Sequence, residues 1–198
     1  MGIVLATGSP GKRREILAAL PGVRFLDIQV PGVEETGSTY RENAILKAVH
    51  AARVAGHRAV ADDSGLEIEA MGWGPGLLTH RLYPDARKGM EDILASLAGV
   101  PLPRRAARYV TWVAVADPSG EVVGCAQGIL TGRVSLAPRG EHGFAFDPVF
   151  IPDGGRRTLG EIPPGERNAL SHRAQAFLAA FANNWLETPA KGLPPATA

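Results

Sequence analysis

Asp62 and Asp63 stand side by side in ADDSGLEIEA, residues 61–70, with Ser64 and Gly65 directly after them. Adjacent carboxylates repel each other, so keeping both calls for a counter-charge. Magnesium suits the role, because it takes one or two carboxylates and completes its shell with waters and phosphate oxygens. Glu35, in VEETGS (33–38), could join Asp62 and Asp63 in holding it. A purely local reading also exists. Asp and Ser bond nearby backbone N–H groups, so DDSG taken alone reads as a turn between two strands.

A phosphate partner for such a metal has a candidate seat in ATGSPGKRRE, residues 6–15. A glycine-containing turn from strand to helix aims free N–H groups and the positive helix end at an anion. Lys12 and Arg13 fall in that first helical turn, where the helix dipole disfavours them, and such local conflicts gather at functional sites. The spacing is not that of a Walker A loop. A capped helix with surface cations fits the same residues equally well. Asn43 and Lys47, four apart on one helical face, read as solvated surface, though Lys47 could supply a further cation to a polyphosphate. PRGEHGFAFDPVF (138–150) offers Phe144 and Phe146 beside glycines, either as a stacking face for a nucleobase or as a core pair. Ser171 caps a last helix whose first turn carries His172 and Arg173, repeating the conflict seen at Lys12. There is no nucleophile elbow and no H-E-x-x-H zinc helix.

The elements that must position these residues follow from periodicity and caps. Ile3 to Thr7 reads as a short strand, and Ser9-Pro10 as the start of a helix carrying Ile16, Leu17 and Leu20. A strand is expected over 23–29. Thr39 and Glu42 form a capping box before a helix with Ala44, Ile45, Ala48, Val49 and Ala52 on its apolar face, ended by Gly56. Strands are expected at 58–61 and 66–70, a loop at 72–85, and a helix through Met90, Ile93, Leu94 and Leu97. Residues 108–116 and 121–136 read as a hairpin around DPSG, with Gly124, Gly128 and Gly132 marking bulges or bends. Residues 137–165 hold too much Gly and Pro for regular structure. A helix at 171–186 buries Ala174, Phe177, Leu178, Phe181 and Trp185, and the end of the chain frays.

The chain has 198 residues, enough for one domain in two lobes with a substantial core. Its hydrophobic share of 45% and charged share of 21% exclude disorder. Twenty-one basic residues against 20 acidic give no reason to expect nucleic acid or an anionic membrane as a partner. Any anion site must be local. The single Cys125 excludes an internal disulfide and suits a reducing compartment, and the start lacks the pattern of a signal peptide, so a cytoplasmic protein is expected.

Taken in order, LATGSPGKRRE, EETG, ENAILKA, ADDSGLEIEA with GPG, PRGEHGFAFDPVF and LSHRAQA resemble the non-canonical purine nucleoside triphosphate pyrophosphatases, the inosine/xanthosine triphosphate pyrophosphatase family. The motifs span residues 5 to 176, and ADDSGL, GF-x-x-DP-x-F and SHR in this order are very specific together. The resemblance implies an α/β fold with an elongated mixed sheet, flanking helices and two lobes around a central cleft. It places a single two-lobed domain at 1–188, with 189–198 as a flexible tail, and implies a homodimer. It also implies magnesium-dependent cleavage of ITP, dITP or XTP to the monophosphate and pyrophosphate.

Carried over position by position, Thr7, Gly8, Ser9, Pro10, Gly11 and Lys12 match the family's phosphate-binding loop, and Lys47 supplies a further cation. Glu35 and Asp63 match its magnesium carboxylates, Asp63 also its proton acceptor, with Asp62 beside them. Ser64 matches a substrate contact, and Phe144, Ala145, Phe146 and Asp147 the base-binding segment. Arg167 stands where Lys is usual, and His172 and Arg173 match the pair that reads the purine edge. Ser9 replaces the usual Asn, FAFD replaces F-G-Y-D, and Thr79-His80-Arg81 replaces S-A-R. Two alternatives stay open. SPGKRRE also suits a Maf-type pyrophosphatase acting on dTTP, UTP or modified nucleotides, and a nucleotide-binding sensor without turnover would use the same cleft.

Overall fold

The computed structural model describes residues 2–187. The expected tail at 189–198 therefore lies outside the described residues. The elements are β1 (Ile3–Ala6), α1 (Pro10–Ala19), β2 (Phe25–Leu26), α2 (Tyr40–Ala55), β3 (Ala59–Ile68), β4 (Gly74–Pro75), α3 (Thr79–Leu82), α4 (Ala86–Ser96), β5 (Ala106–Ala116), β6 (Val122–Val134), β7 (Phe150–Pro152), α5 (Pro164–Leu170) and α6 (His172–Ala182). They build one mixed seven-stranded sheet in the order β2-β1-β3-β5-β6-β7, with β4 also on β3. β2, β1 and β3 run parallel, and the remaining pairings are antiparallel.

The long strands β3, β5 and β6 run through both lobes. In the first lobe Ile3, Leu5, Ile16, Val60, Val113 and Phe177 form the core under α1 and α6. Val4, Ala44, Ala48, Ala59, Ala61 and Ala114 form the core under α2 on the other face. The alanines let α2 lie close to the sheet. In the second lobe Leu66, Ile93, Leu97, Tyr109, Phe146 and Phe150 gather around the far ends of the same strands.

Several expectations change. DDSG is not a turn: residues 59–68 are one strand, and each pairs with a residue of β5 from Ala116 back to Ala107. Ten consecutive ladder positions outweigh the local preference of Asp, Ser and Gly for turns. The strand expected at 23–29 shrinks to Phe25–Leu26. The two loops expected at 72–85 and 137–165 contain β4 and α3, and β7 and the start of α5. The last helix starts at the expected Ser171 cap but ends at Ala182 rather than 186, a short α5 precedes it, and Leu178 and Phe181 are 46% and 45% exposed. The helix buries Ala174, Ala176, Phe177 and Ala180, with Trp185 beyond its end packed against the same core.

Of the three glycines only Gly124 adjoins a bulge: Val115 pairs with it and Ala116 with Val122, which leaves Val123 as the extra residue, whereas Gly128 and Gly132 lie in regular ladder and all three mark close approaches. A Cβ on Gly128 would come within 1.9 Å of the His172 carbonyl oxygen, and one on Gly124 within 2.4 Å of the Trp185 ring. The first turn of α6 therefore seats directly on bare backbone. Gly128→Ala is expected to destabilise the fold by about 1–3 kcal/mol by overpacking, read as a lower urea midpoint at unchanged m-value.

Candidate active site

The cleft lies in a gap of the sheet. On one edge β3 pairs with β1 as far as Ala61 and with β4 from Glu67 onward. Residues 62–66 between them have no strand on that side, so the gap opens at the carboxyl end of β1, beside the middle of β3, as open α/β sheets take ligands at strand carboxyl ends. The cavity there measures about 900 Å³ and is walled by both lobes, including Thr7 to Pro10, Lys12, Lys47, Asp62 to Gly65, Phe144 to Asp147, Arg167 and Ser171 to Arg173. That volume accommodates a nucleotide-sized ligand.

Successive side chains of a strand point to opposite faces, and this divides the two carboxylates. Asp62 faces α1 and α6. Its Oδ2 accepts from Lys12 Nζ at 2.9 Å, from Arg173 Nε at 3.3 Å and from Ser64 Oγ at 3.4 Å. Burial would raise its pKa, but Lys12, Arg173 and Lys47 hold the carboxyl well below the usual carboxylate range. Asp63 faces α2, accepting from Lys47 Nζ at 2.9 Å and Asn43 Nδ2 at 3.2 Å. Here burial dominates and pushes the pKa up against the pull of Lys47. The counter-charge that the pair lacks in sequence is thus supplied by the protein itself. Asn43 and Lys47 are no solvated surface: Asn43 is fully enclosed, and Lys47 also holds Glu35 Oε1 at 2.8 Å.

Gly65 follows from the same packing. A Cβ there would lie 2.2 Å from the Gly76 carbonyl oxygen and 2.6 Å from the Tyr40 hydroxyl, so a larger residue would push the β4 segment off β3.

The phosphate-loop candidates form as the sequence suggests. Ser9 caps α1 by accepting from the Lys12 amide, and Pro10 takes the first helical position. Thr39 caps α2 likewise, although Glu42 bonds the Ser38 amide at 2.7 Å instead of closing the box on Thr39. Ser171 caps α6 and also donates to Glu15. Glu15, buried and paired with Arg173, belongs to the site and was missed. Its one sequence signal is a charged residue at a position of α1 that falls on the buried side with Ile16.

Phe144 and Phe146 part company. Phe146 is core, 4% exposed and edge-on to Tyr83 at 6.0 Å between ring centres. Phe144 is half-buried over Gly11, with the Arg173 guanidinium 5.7 Å from its ring centre. Ala145 between them has φ 53°, a left-handed conformation that costs a side-chain-bearing residue energy and glycine none. Asp147 accepts from the Phe144 amide at 3.0 Å and faces Arg167 at 3.6 Å. His172 stacks flat on Tyr109, with ring centres 4.8 Å apart, and burial drives its pKa well below the ordinary value, keeping it neutral.

Among the described residues no three His, Cys, Asp or Glu side chains gather as a ready metal cage. The pair that fits a divalent ion is Glu35 and Asp63, whose oxygens already share one cation, the Lys47 ammonium. Asp62 is separate, with Oδ2 engaged by cations and Oδ1 enclosed without a partner. In the cleft wall the basic side chains Lys12, Arg13, Lys47, Arg81, Arg167 and Arg173 equal in number the acidic Glu15, Asp27, Glu35, Asp62, Asp63 and Asp147. A strongly anionic ligand would therefore have to bring cations with it.

The model of the Ham1 family matches residues 3–183. The chain belongs to the Ham1 family. A protein of Elusimicrobium minutum called dITP/XTP pyrophosphatase is 42% identical, with 89% of this chain and 96% of that one covered. One of the same name from Deinococcus deserti is also 42% identical, over 98% and 91%. Among solved structures, a HAM1 protein from Coxiella burnetii superposes with a TM-score of 0.79 at 34% identity, covering 93% of this chain and 99% of that one. A nucleoside-triphosphatase, dITP/XTP pyrophosphatase, from Mycobacterium abscessus gives 0.72 at 36% identity, over 91% and 98%.

Burial raises the Asp147 pKa from 3.8 to about 6, so the folded state binds a proton more tightly than the unfolded chain. The sign follows from linkage: this carboxyl costs stability once ionised, and the cost grows as pH rises through the window from about 4 to about 6. Asp147→Asn is expected to remove about 2 kcal/mol of that pH dependence, measured as the difference between wild-type and variant unfolding free energies at pH 4.5 and 7.

Proposed function

We propose that this chain hydrolyses ITP, dITP and XTP to the monophosphate and pyrophosphate, clearing such nucleotides from the pool. The observation that carries the reading is the cluster of Asp63, Glu35, Lys47 and Asn43 at the gap in the sheet, opposite the Lys12 loop. Hard carboxylate oxygens beside phosphate-binding cations are the donor set magnesium takes. Glu35 and Asp63 would hold it, and when bound it would neutralise phosphate charge and lower the pKa of a bound water. Asp62 anchors Lys12 and Arg173 from the opposite face.

Asp63 is the proton acceptor in this reading. Its raised pKa makes it a better base than a solvated carboxylate, and Lys47 and Asn43 fix its orientation. Lys12 and the amides that open α1 meet the phosphates, as does Ser64. At the other end Phe144 offers a ring face to the base. His172 and Arg173 present donors toward a 6-keto oxygen, which an adenine amine cannot accept. Leaving a buried donor unpaired costs about 1–3 kcal/mol, so ATP is expected to be about ten- to a few hundred-fold poorer than ITP. Assembly as a homodimer in a reducing, cytoplasmic setting belongs to the same proposal; the half-buried free thiol of Cys125 suits it.

Pyrophosphate release across ITP, XTP, dTTP, UTP, GTP and ATP, with magnesium and after its chelation, tests this reading. Release from ITP and XTP that stops on chelation is expected. Tight ITP binding with no release would leave a sensor, and preference for dTTP or UTP would favour the Maf-type activity. Asp63→Asn should lower kcat by about 10²-fold or more, because it removes the base and a metal ligand at constant size. A variant keeping most of its kcat would take Asp63 out of the mechanism.

A further inference from the structure

We propose that Arg81 is a phosphate-binding residue delivered from the second lobe, and that it holds the two terminal phosphates that leave as pyrophosphate. The proposal rests on the pyrophosphatase reading and names a ligand for the leaving half of the substrate.

The cleft cations differ in what already occupies them. Lys12 is paired with Asp62, Lys47 with Glu35 and Asp63, Arg167 with Asp147, and Arg173 with Asp62 and Glu15. Among the described residues Arg81 has no acidic partner. Its one hydrogen bond runs from Nη2 to the Glu35 carbonyl oxygen at 2.5 Å. That carbonyl belongs to the residue whose carboxylate holds Lys47, which in turn holds Asp63. The guanidinium thus stands beside the Asp63 cluster, whereas Phe144 lies over Gly11 and beside Arg173.

Its backbone is anchored on both sides. Two residues before it, Thr79 is buried and its hydroxyl accepts from the Leu66 amide at 3.1 Å. Two residues after it, Tyr83 packs edge-on against Phe146 in the core of the second lobe. Arg81 is therefore held by one lobe and reaches a residue of the other. A neutral carbonyl takes one N–H of a fork that matches two phosphate oxygens, and a charged, bidentate acceptor displaces it readily. Of the cleft cations, Arg13 and Arg81 have no acidic partner among the described residues, and Arg81 is the one whose guanidinium reaches Glu35 beside the Asp63 cluster, free to meet the anionic end of a triphosphate.

Calorimetric titration of magnesium pyrophosphate and, separately, of IMP into wild type, Arg81→Gln and Arg81→Lys tests the assignment. Arg81→Gln should weaken pyrophosphate binding about ten- to hundred-fold while IMP binding stays within about twofold. Arg81→Lys should recover part of the loss, since it restores charge without the fork. In steady state kcat/KM for ITP should fall by the same order as the pyrophosphate affinity. Unchanged pyrophosphate binding in Arg81→Gln would overturn the proposal. Equal weakening of IMP and pyrophosphate would overturn it too, by making Arg81 a support of the lobe arrangement. The pyrophosphate titration judges Arg81 by itself, even if no nucleotide were turned over.

Discussion

Two adjacent buried carboxylates are the constraint around which the molecule is arranged. An unpaired buried charge costs several kcal/mol, and two neighbours of like sign cost more. Strand alternation sends Asp62 to one face of the sheet and Asp63 to the other, so each needs its own cations. Lys12 of α1 and Arg173 of α6 answer Asp62, and Lys47 of α2 answers Asp63. Three helices from distant parts of the chain must therefore converge on one strand. Close seating follows: Gly128 under the first turn of α6, alanines under α2, and Gly65 under the β4 segment.

The same pairs prepare the site for an anionic ligand. Lys12 and Lys47 are already oriented and largely desolvated, so engaging a phosphate requires little reorganisation, the condition under which electrostatic stabilisation is most effective. Their present carboxylate partners mark where a metal would redistribute the charge. Asp62 holds Lys12 and Arg173 on the face of α1 and α6, while Glu35 and Asp63 meet at the gap left between β1 and β4. A break in strand pairing thus serves both as the opening of the cleft and as the place where the chain concentrates its charge.

The base end obeys a different rule, that of ring burial. Phe146 fills the second lobe's core, and Phe144, two residues earlier, is left at the cleft wall by the left-handed backbone of Ala145. Asp147 ties that segment down through the Phe144 amide, and the flat contact of His172 with Tyr109 joins α6 to the core that also holds Phe146. The wall on which a base would stack is therefore rigid from behind.

Features that depend on contacts a few residues apart were legible in the sequence alone. The caps at Ser9, Thr39 and Ser171, the apolar stripe of α2, the β5–β6 hairpin and the ordered motifs of the family are of this kind, since each is decided by neighbours along the chain. Only the tertiary structure decided that DDSG is a strand interior, because ten ladder partners from β5 override local turn chemistry. It alone made Asn43 and Lys47 buried ligands of Asp63, enrolled Glu15 beside Arg173, separated Phe144 from Phe146, and left Leu178 and Phe181 exposed. Each of those depends on which face of an element meets another element far away in sequence. Periodicity shows that a residue is polar or apolar on its own helix or strand, whereas its partner is set by how the elements pack, so the chemistry of this cleft exists only once α1, α2 and α6 close on β3.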